Sequence, residues 1–289
     1  MTCWPNLFLL AAPRSGSSQL AAWLASHPEI ALPPIKEPNF FAHHEFPPPE
    51  DPLSRNLVDV RNPGDPRARG TFALVTRAQD YKSLYARLAA HRWRLDASTS
   101  YLACPDAPAA IAQTCPDACI ITVTRAPIAR AWSHYGLARR TGRTTASLTD
   151  EISRELADTG PPGLRYLLRP SRQRDAIARV ATIFPPSCRL HLTFEEMIAN
   201  PPAVLRTIAS FLDIDPTGFD MACTARNASA LPRFAALTAA LHHTGWHAPL
   251  RRALPSRAKT ALRPIWFRKG SPQITEAEHH LLSRHLEGA

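Results

Sequence analysis

The sequence predicts an α/β fold in three layers, with a central parallel sheet between two layers of helices. Three observations carry that prediction. Apolar, branched runs at 7–11 and 119–124 read as strands buried on both faces, as the strands of a parallel sheet are. Helical patterns separate the strand patterns along the chain, the alternation that builds such a sheet. The length of 289 residues and a hydrophobic fraction of 45% supply a sizeable core, and with no internal repeat and no low-complexity linker a single domain is expected over 1–289.

The elements follow in order. A strand at 7–11 leads through a small polar loop to a helix at 17–26. The stretch EIALPPIKEPNFF, 29–41, reads as a short strand ending in a loop. Residues 43–70 are rich in Pro and charge and read as an irregular surface excursion; loops of that length are often lids or binding loops. A helix at 78–90 presents Tyr81, Leu84, Tyr85 and Leu88 on one face. RWRLDAS is a strand, 105–114 a helix, and 119–124 the second fully buried strand. Pro127 opens a helix running to 140, where Pro suits the first helical position. A helix at 171–184 and the strand CRLHLTF come next. In 200–214, apolar residues at 204, 205, 208, 211 and 212 form one helical face. Residues 220–267 show helical patches of weak periodicity. Thr275 with Glu278 three residues on is a capping box, opening a last helix.

Composition narrows the function. No run of about 18 apolar residues spans a membrane, and the run at 7–12 is too short for a signal peptide and has no Lys or Arg before it, so the protein is read as cytoplasmic. The formal charge is +10, and the lysines are only Lys36, Lys82, Lys259 and Lys269; every other basic residue is Arg. Arg binds oxyanions through a rigid fork of donors, so an anionic ligand fits, as would a nucleic acid or a membrane surface. Of six cysteines, Cys115 and Cys119 lie four apart without a His or Cys pair at zinc spacing. No metal site is expected, and the cysteines read as buried free thiols.

Two constellations carry chemistry. In APRSGSSQL, a loop enters a helix N-terminus, where free N–H groups and the helix dipole favour an anion. Gly16 lets the backbone approach closely, Ser15, Ser17 and Ser18 add hydroxyls, and Arg14 adds charge. The loop lacks the lysine of a Walker A motif; its ordinary alternative is a capped helix after a tight turn. In VTRAPIARAWSHY, Arg125 ends the buried strand and Ser133 lies about two turns into the next helix, roughly 10 Å along its axis. Ligands bind outside the carboxyl ends of parallel strands, where these two side chains can hold one phosphate. The alternative is an exposed Arg and a solvent-facing Ser.

Together these segments carry a resemblance. PRSGSSQL, followed by ASHPEI and IKEPNFF, resembles the sulfonucleotide-binding loop of the sulfotransferases, and TRAPIARAWSHY resembles their second signature, R-x-P-x-x-R-A-x-S-x-Y. LDASTSYL, LTFEEMIANPPAVLRTIASFL, RNASALPR and RKGSP fall in the family's order along nearly the whole chain. The resemblance implies a P-loop-NTPase-like sulfotransferase fold. It also implies transfer of a sulfuryl group from 3′-phosphoadenosine 5′-phosphosulfate (PAPS), without a metal, to a hydroxyl of an acceptor.

Residue by residue, Arg14 would hold the bridging oxygen between 5′-phosphate and sulfuryl group. Ser15, Gly16, Ser17, Ser18 and Gln19 would cradle the 5′-phosphate. Arg125 and Ser133 would grip the 3′-phosphate, and Arg268, Lys269 and Gly270 would close over that end. Glu37 matches the catalytic acidic residue of the glycan-modifying branch and would act as base, with Lys36 beside Arg14 on the leaving oxygens. His43 and His44 are alternative bases, and an ion pair with Lys36 is the ordinary reading of Glu37. Asp96 reads as polar support, with Ala97 where the family sometimes has Lys. The Arg run at 139–143 reads as a solvated face. Trp23, Tyr81 and Tyr85 read as core. A carbohydrate, lipid or small metabolite would be the acceptor, its pocket shaped by the excursion 43–70 and the region 220–267, which fall outside the nucleotide signatures; no nucleic acid and no membrane span are expected. Two other classes compete: a metal-dependent nucleotide phosphotransferase, which needs a Walker lysine and an acidic residue where Arg125 stands, and a basic nucleic-acid-binding module, which needs a basic stripe with exposed aromatics.

Overall fold

The computed structural model describes residues 4–54, 57–60, 62–65, 67–223, 230–232, 267–269 and 273–287. Five strands make one parallel sheet: β1 Leu7–Ala11, β2 Ile30–Ala31, β5 Trp93–Asp96, β6 Cys119–Thr124 and β7 Arg189–Thr193, in the order β2-β5-β1-β6-β7. Leu7 of β1 stands opposite Leu95 on one side and Cys119 on the other. The fold is the expected α/β architecture. Between β2 and β5 the chain makes a small parallel pair, β3 Ile35–Glu37 with β4 Gly70–Phe72.

All five residues of β1 are buried, and the two-residue period of a strand divides them between two cores. Leu7, Leu9 and Ala11 pack with α1 (Ser17–Leu24), α8 (Phe194–Ala199) and α9 (Pro201–Leu212). Phe8 and Leu10 pack on the other face with α2 (Ala78–Ala86), α3 (Ser100–Ala103), α4 (Ala107–Thr114) and α7 (Gln173–Ile183). β6 divides likewise, Ile121 and Val123 to one core and Ile120 to the other. Each buried Leu, Ile or Phe stabilises the fold by about 1.5–3 kcal/mol relative to exposure. A third cluster joins α5 (Pro127–Arg140), α6 (Leu148–Ala157) and the last helix, α10 (Glu276–Leu286). An antiparallel pair, β8 Ala230–Pro232 with β9 Phe267–Lys269, lies with β8 against α5.

Several elements differ from expectation. α2 ends four residues early, at Ala86. α3, β4 and α6 appear where no element was expected; Ser147 caps α6 in a capping box with Asp150, where the usual partner is Glu or Gln. The excursion 43–70 is irregular but not purely superficial. In it Glu45, Ser54, Val58 and Val60 are buried, and Asp59 and Val60 donate N–H bonds to the Phe72 carbonyl. Most of 220–267 lies outside the described residues. The capping box of Thr275 and Glu278 is present.

Candidate functional site

The sheet order reverses at β1, so a crevice opens outside the carboxyl ends of β1 and β6. The loop 12–16 leaves one end and Arg125 the other. Ala12 N–H still bonds the Val123 carbonyl, and Ser15 N–H then turns back to the Ala12 carbonyl. Arg14 and Gly16 both adopt left-handed backbone, at φ of 75° and 81°. That suits Gly and strains Arg, by about 1–3 kcal/mol for a sparsely populated conformation. A Cβ at Gly16 would stand 2.9 Å from the Phe194 ring, so the residue is fixed by crowding as well as by φ. Leu20 N–H makes the first helical bond, to Gly16; the N–H groups before it lie in the first turn, where no helical carbonyl reaches them. Ser17 is buried, and Ser15 Oγ is buried without a partner among the described residues.

Two arginines and a serine from α5 and its entrance close on this loop. Arg14 Nε donates to Ser133 Oγ at 3.2 Å, across 119 residues of sequence. Arg125 Nη1 donates to the Arg14 carbonyl at 2.8 Å, and its guanidinium stacks 4.4 Å from the centre of the Phe194 ring. Arg130, fully buried, donates to the Pro13 carbonyl, to Ser171 Oγ at 2.6 Å and to the Tyr166 and Leu167 carbonyls. Gln173 holds the Arg125 backbone both ways, accepting its N–H at 3.0 Å and donating to its carbonyl at 2.8 Å.

The site is short of negative charge. Burial first, then Arg140 and Arg125, pull the Arg14 pKa down to about 10. Burial pulls Arg130 to about 9, against the opposing influence of Glu155, and also lowers Arg125 and Arg140. All stay cationic at neutral pH; Glu195 partly offsets the effect of burial on Arg125, and among the described residues no carboxylate forms an ion pair with any of the four, so an arriving anion meets positive charge. The run 139–143 is therefore not a uniform solvated face. Arg139 bonds Tyr135 and Ala146, Arg143 bonds the Leu164 carbonyl and stacks on Tyr166, and Arg140, half-buried, has no partner among the described residues.

On the other side of β1, Glu37 ends β3, buried. Lys36 Nζ lies 2.6 Å from Oε1, and Thr99 Oγ1 donates to Oε2 at 2.7 Å. Lys36 also donates to the Ala97 carbonyl. The adjacent ion pair foreseen as the ordinary alternative is thus present, and each carboxylate oxygen keeps a second lone pair for another donor. Beneath it sits Asp96, fully buried and bonded by Tyr81, Tyr101 and both donors of Ser98. Burial raises its pKa against those bonds. Ser98 holds the Asn39 N–H, and Asn39 in turn holds the Glu37 carbonyl. His43 Nδ1 sits 2.6 Å from the Phe40 carbonyl, and His44 is half exposed beside Cys104 and Asp106.

The structure thus brings together Arg14, Ser15, Gly16, Ser17, Ser18, Arg125 and Ser133. It places Lys36 and Glu37 as a pair at the end of β3. Gln19 turns its amide to the Cys223 carbonyl at 2.8 Å. Arg268 and Lys269 lie on β9, Lys269 opposite Ala230; their side chains and Gly270 are outside the described residues. Arg130, Ser171, Gln173 and Phe194 were not foreseen. Arg130 was visible as the second Arg of RAPIAR, whereas the others meet the site from distant segments that no local pattern marks. Trp23, Tyr81 and Tyr85 are core. Cys104 and Cys115 are buried free thiols, and Cys119, Cys188 and Cys223 are free and half-buried. Among the described residues no three His, Cys, Asp or Glu side chains converge as metal ligands, and no helix is long and apolar enough to cross a membrane.

This arrangement accords with a family match over most of the chain. The sequence matches the sulfotransferase family over residues 5–218. The fold is similar to a sulfotransferase of Alicyclobacillus acidocaldarius, at 24% identity and a TM-score of 0.62, covering 87% of this chain and 97% of that one. It is also similar to the sulfotransferase domain of the curacin biosynthetic pathway, at 15% identity and a TM-score of 0.49 with 98% of each chain covered. A third is the sulfotransferase domain of a Synechococcus olefin synthase, at 19% identity and 0.44, covering 98% of this chain and 94% of that one. No curated protein matches in sequence. With an anion-seeking loop at the head of a parallel sheet and a family match over most of its length, the chain belongs to the sulfotransferase family.

Proposed function

We propose that the protein transfers a sulfuryl group from PAPS to a hydroxyl of a carbohydrate, lipid or small metabolite by in-line displacement. One observation carries the reading: the 3.2 Å bond between Arg14 and Ser133, which joins the loop to α5. In this reading the first turn of α1 with Ser17 and Ser18 holds the 5′-phosphate. Arg125 and Ser133 hold the 3′-phosphate, and Arg268, Lys269 and Gly270 close over it. The buried Ser15 hydroxyl, without a partner among the described residues, and the buried cationic guanidiniums support an anionic ligand there.

The acceptor oxygen attacks sulfur, the bond from sulfur to the bridging oxygen breaks, and the electron pair stays on the departing phosphate. Arg14 stabilises the charge growing on that oxygen, as a fixed cation in a water-poor site does effectively. Glu37 takes the hydroxyl proton through a free lone pair. Lys36 and Thr99 orient Glu37, so Lys36 acts first on the base and only through it on the leaving group. The soluble, cytoplasmic setting read from the sequence accords with a nucleotide donor.

Calorimetry with the product nucleotide, 3′-phosphoadenosine 5′-phosphate (PAP), tests the reading. Tight binding without metal is expected, weakened at least tenfold in Arg125→Ala and in Ser133→Ala. A preference for ATP with Mg²⁺ would overturn it.

A further inference from the structure

The connection from α6 to α7 has two working sides. Inward, Ser171 and Gln173 hold Arg130 and Arg125. Outward, with α6, it walls a cavity of about 270 Å³ lined by Glu155, Leu156, Arg165, Leu168, Arg169 and Arg172. Three guanidiniums and one carboxylate face this space, but not all of that charge is available.

Glu155 is consumed, accepting the N–H groups of Leu167, Leu168 and Arg169 at 2.7–2.9 Å. Arg169 is consumed too: both of its terminal nitrogens pair with buried Glu45, and they also reach the Ala103 and Pro162 carbonyls. Arg165 reaches only the Asp158 and Gly160 carbonyls, and its Nε is buried without a partner among the described residues. Arg172 is exposed and its side chain has no partner among the described residues. Two guanidiniums are therefore left without a carboxylate. Leu168 and Leu156, the latter 55% exposed, add an apolar wall. Guanidinium forks match carboxylate geometry, and an apolar wall with a few convergent polar groups is the usual make-up of a small-molecule pocket.

Hydrogen bonds tie the cavity wall to the segments that carry Glu37 and its partner Thr99. Arg169 is tied to Ala103 at the end of α3, the helix that starts one residue after Thr99, the partner of Glu37. It is tied also to Glu45, eight residues beyond Glu37 on the same segment. Behind Arg169 and Arg172 a slot of about 10 Å³ reaches Ala12 at the root of the loop. That is room for about one water.

We propose that this cavity holds the acid group of the acceptor, so that the acceptor is a hydroxylated organic acid with a compact apolar body. The acceptor role rests on the sulfotransfer reading above; the preference for an acid does not. The probe is 4-hydroxyphenylacetate, with its neutral amide as the control, each titrated calorimetrically into the full chain with and without saturating PAP. The acid binds at least tenfold more tightly than the amide. In Arg172→Gln, an exposed position whose folding is checked by thermal melting, that preference falls below threefold while PAP affinity is unchanged; Arg165→Gln acts in the same direction. Equal binding of acid and amide, binding of neither, or a preference that survives both substitutions overturns the proposal. Absence of PAP binding with the acid preference intact overturns the sulfotransfer reading, and the acceptor role with it, but leaves the cavity as an acid site.

Discussion

Glu37 has both carboxylate oxygens in short hydrogen bonds, to Lys36 and to Thr99. A base must also be free to receive a proton, and the unused lone pairs allow that without breaking either bond. Glu37→Gln keeps the shape and removes the basicity. Turnover should fall by roughly 10²–10⁴-fold, the usual contribution of a positioned base, with PAP affinity unchanged; steady-state kinetics beside calorimetry decides it. His134 gives a second prediction at this scale. Its Nδ1 lies 3.2 Å from Arg130 Nη1, which can only donate, so the ring is neutral with its proton on Nε2. Burial, then Arg130, Arg143 and Arg14, hold its pKa well below the usual value. In the unfolded chain His titrates near 6.5. Below that pH the unfolded state binds a proton that the folded state refuses, so stability is full above about pH 6.5 and falls as pH drops. One such group costs about a factor of ten in the folding constant per pH unit. His191, also lowered by burial, acts with the same sign. Urea midpoints at pH 7.5 and 5.5 should show the loss, and His134→Gln should shallow the slope; an unchanged slope would assign it elsewhere.

At the scale of elements, the loop before α1 depends on Gly16 twice, through its φ of 81° and through the 2.9 Å approach of Phe194. Gly16→Ala should cost more than the usual strain of about 1 kcal/mol at such a position. It should also weaken PAP binding at least tenfold by shifting Phe194 and the Arg125 stacked on it; a melting curve and a titration on the same variant test both. The strands β1 and β6 were legible because short continuous apolar runs of branched residues have few alternatives to a strand buried on both faces. α5 was legible from Pro127 and α10 from its Thr275 box. α6 escaped because its box uses Asp150 in place of Glu or Gln, and α3 because four residues carry no period. The loop and Ser133 could be read as chemistry only jointly. Ser171, Gln173 and Phe194 could not be read at all, since nothing local in RPSRQRDA or LTFEE says that they meet Arg130 and Arg125.

For the whole molecule, the +10 charge is less telling than its placement. Arg14, Arg125, Arg130, Arg140 and Arg143 are all lowered by burial, and Arg14 and Arg130 by neighbouring arginines as well, so the folded protein holds desolvated positive charge that a bound anion compensates. A ligand at 100 times its dissociation constant stabilises by about 2.7 kcal/mol, which for a domain of this size is a rise of roughly 5–10 °C in melting temperature. PAP should produce that rise in a thermal scan. The rise should shrink between 50 and 300 mM salt and vanish in Arg125→Ala; a salt-independent rise would place the binding elsewhere.

The bonds that hold the loop also have a history in time. Pro13 and Arg14 offer their carbonyls to Arg130 and Arg125, and Gln173 fixes Arg125 in turn. A ribosome adding about 5–20 residues per second makes Arg14 roughly 10–30 s before Gln173. For most of that interval the emerging chain carries the loop without Arg125 and Arg130, and throughout it without Gln173. If PAPS is the donor, as proposed, the nascent protein is blind to it until more than half of the chain has been made, and the donor cannot guide its early folding.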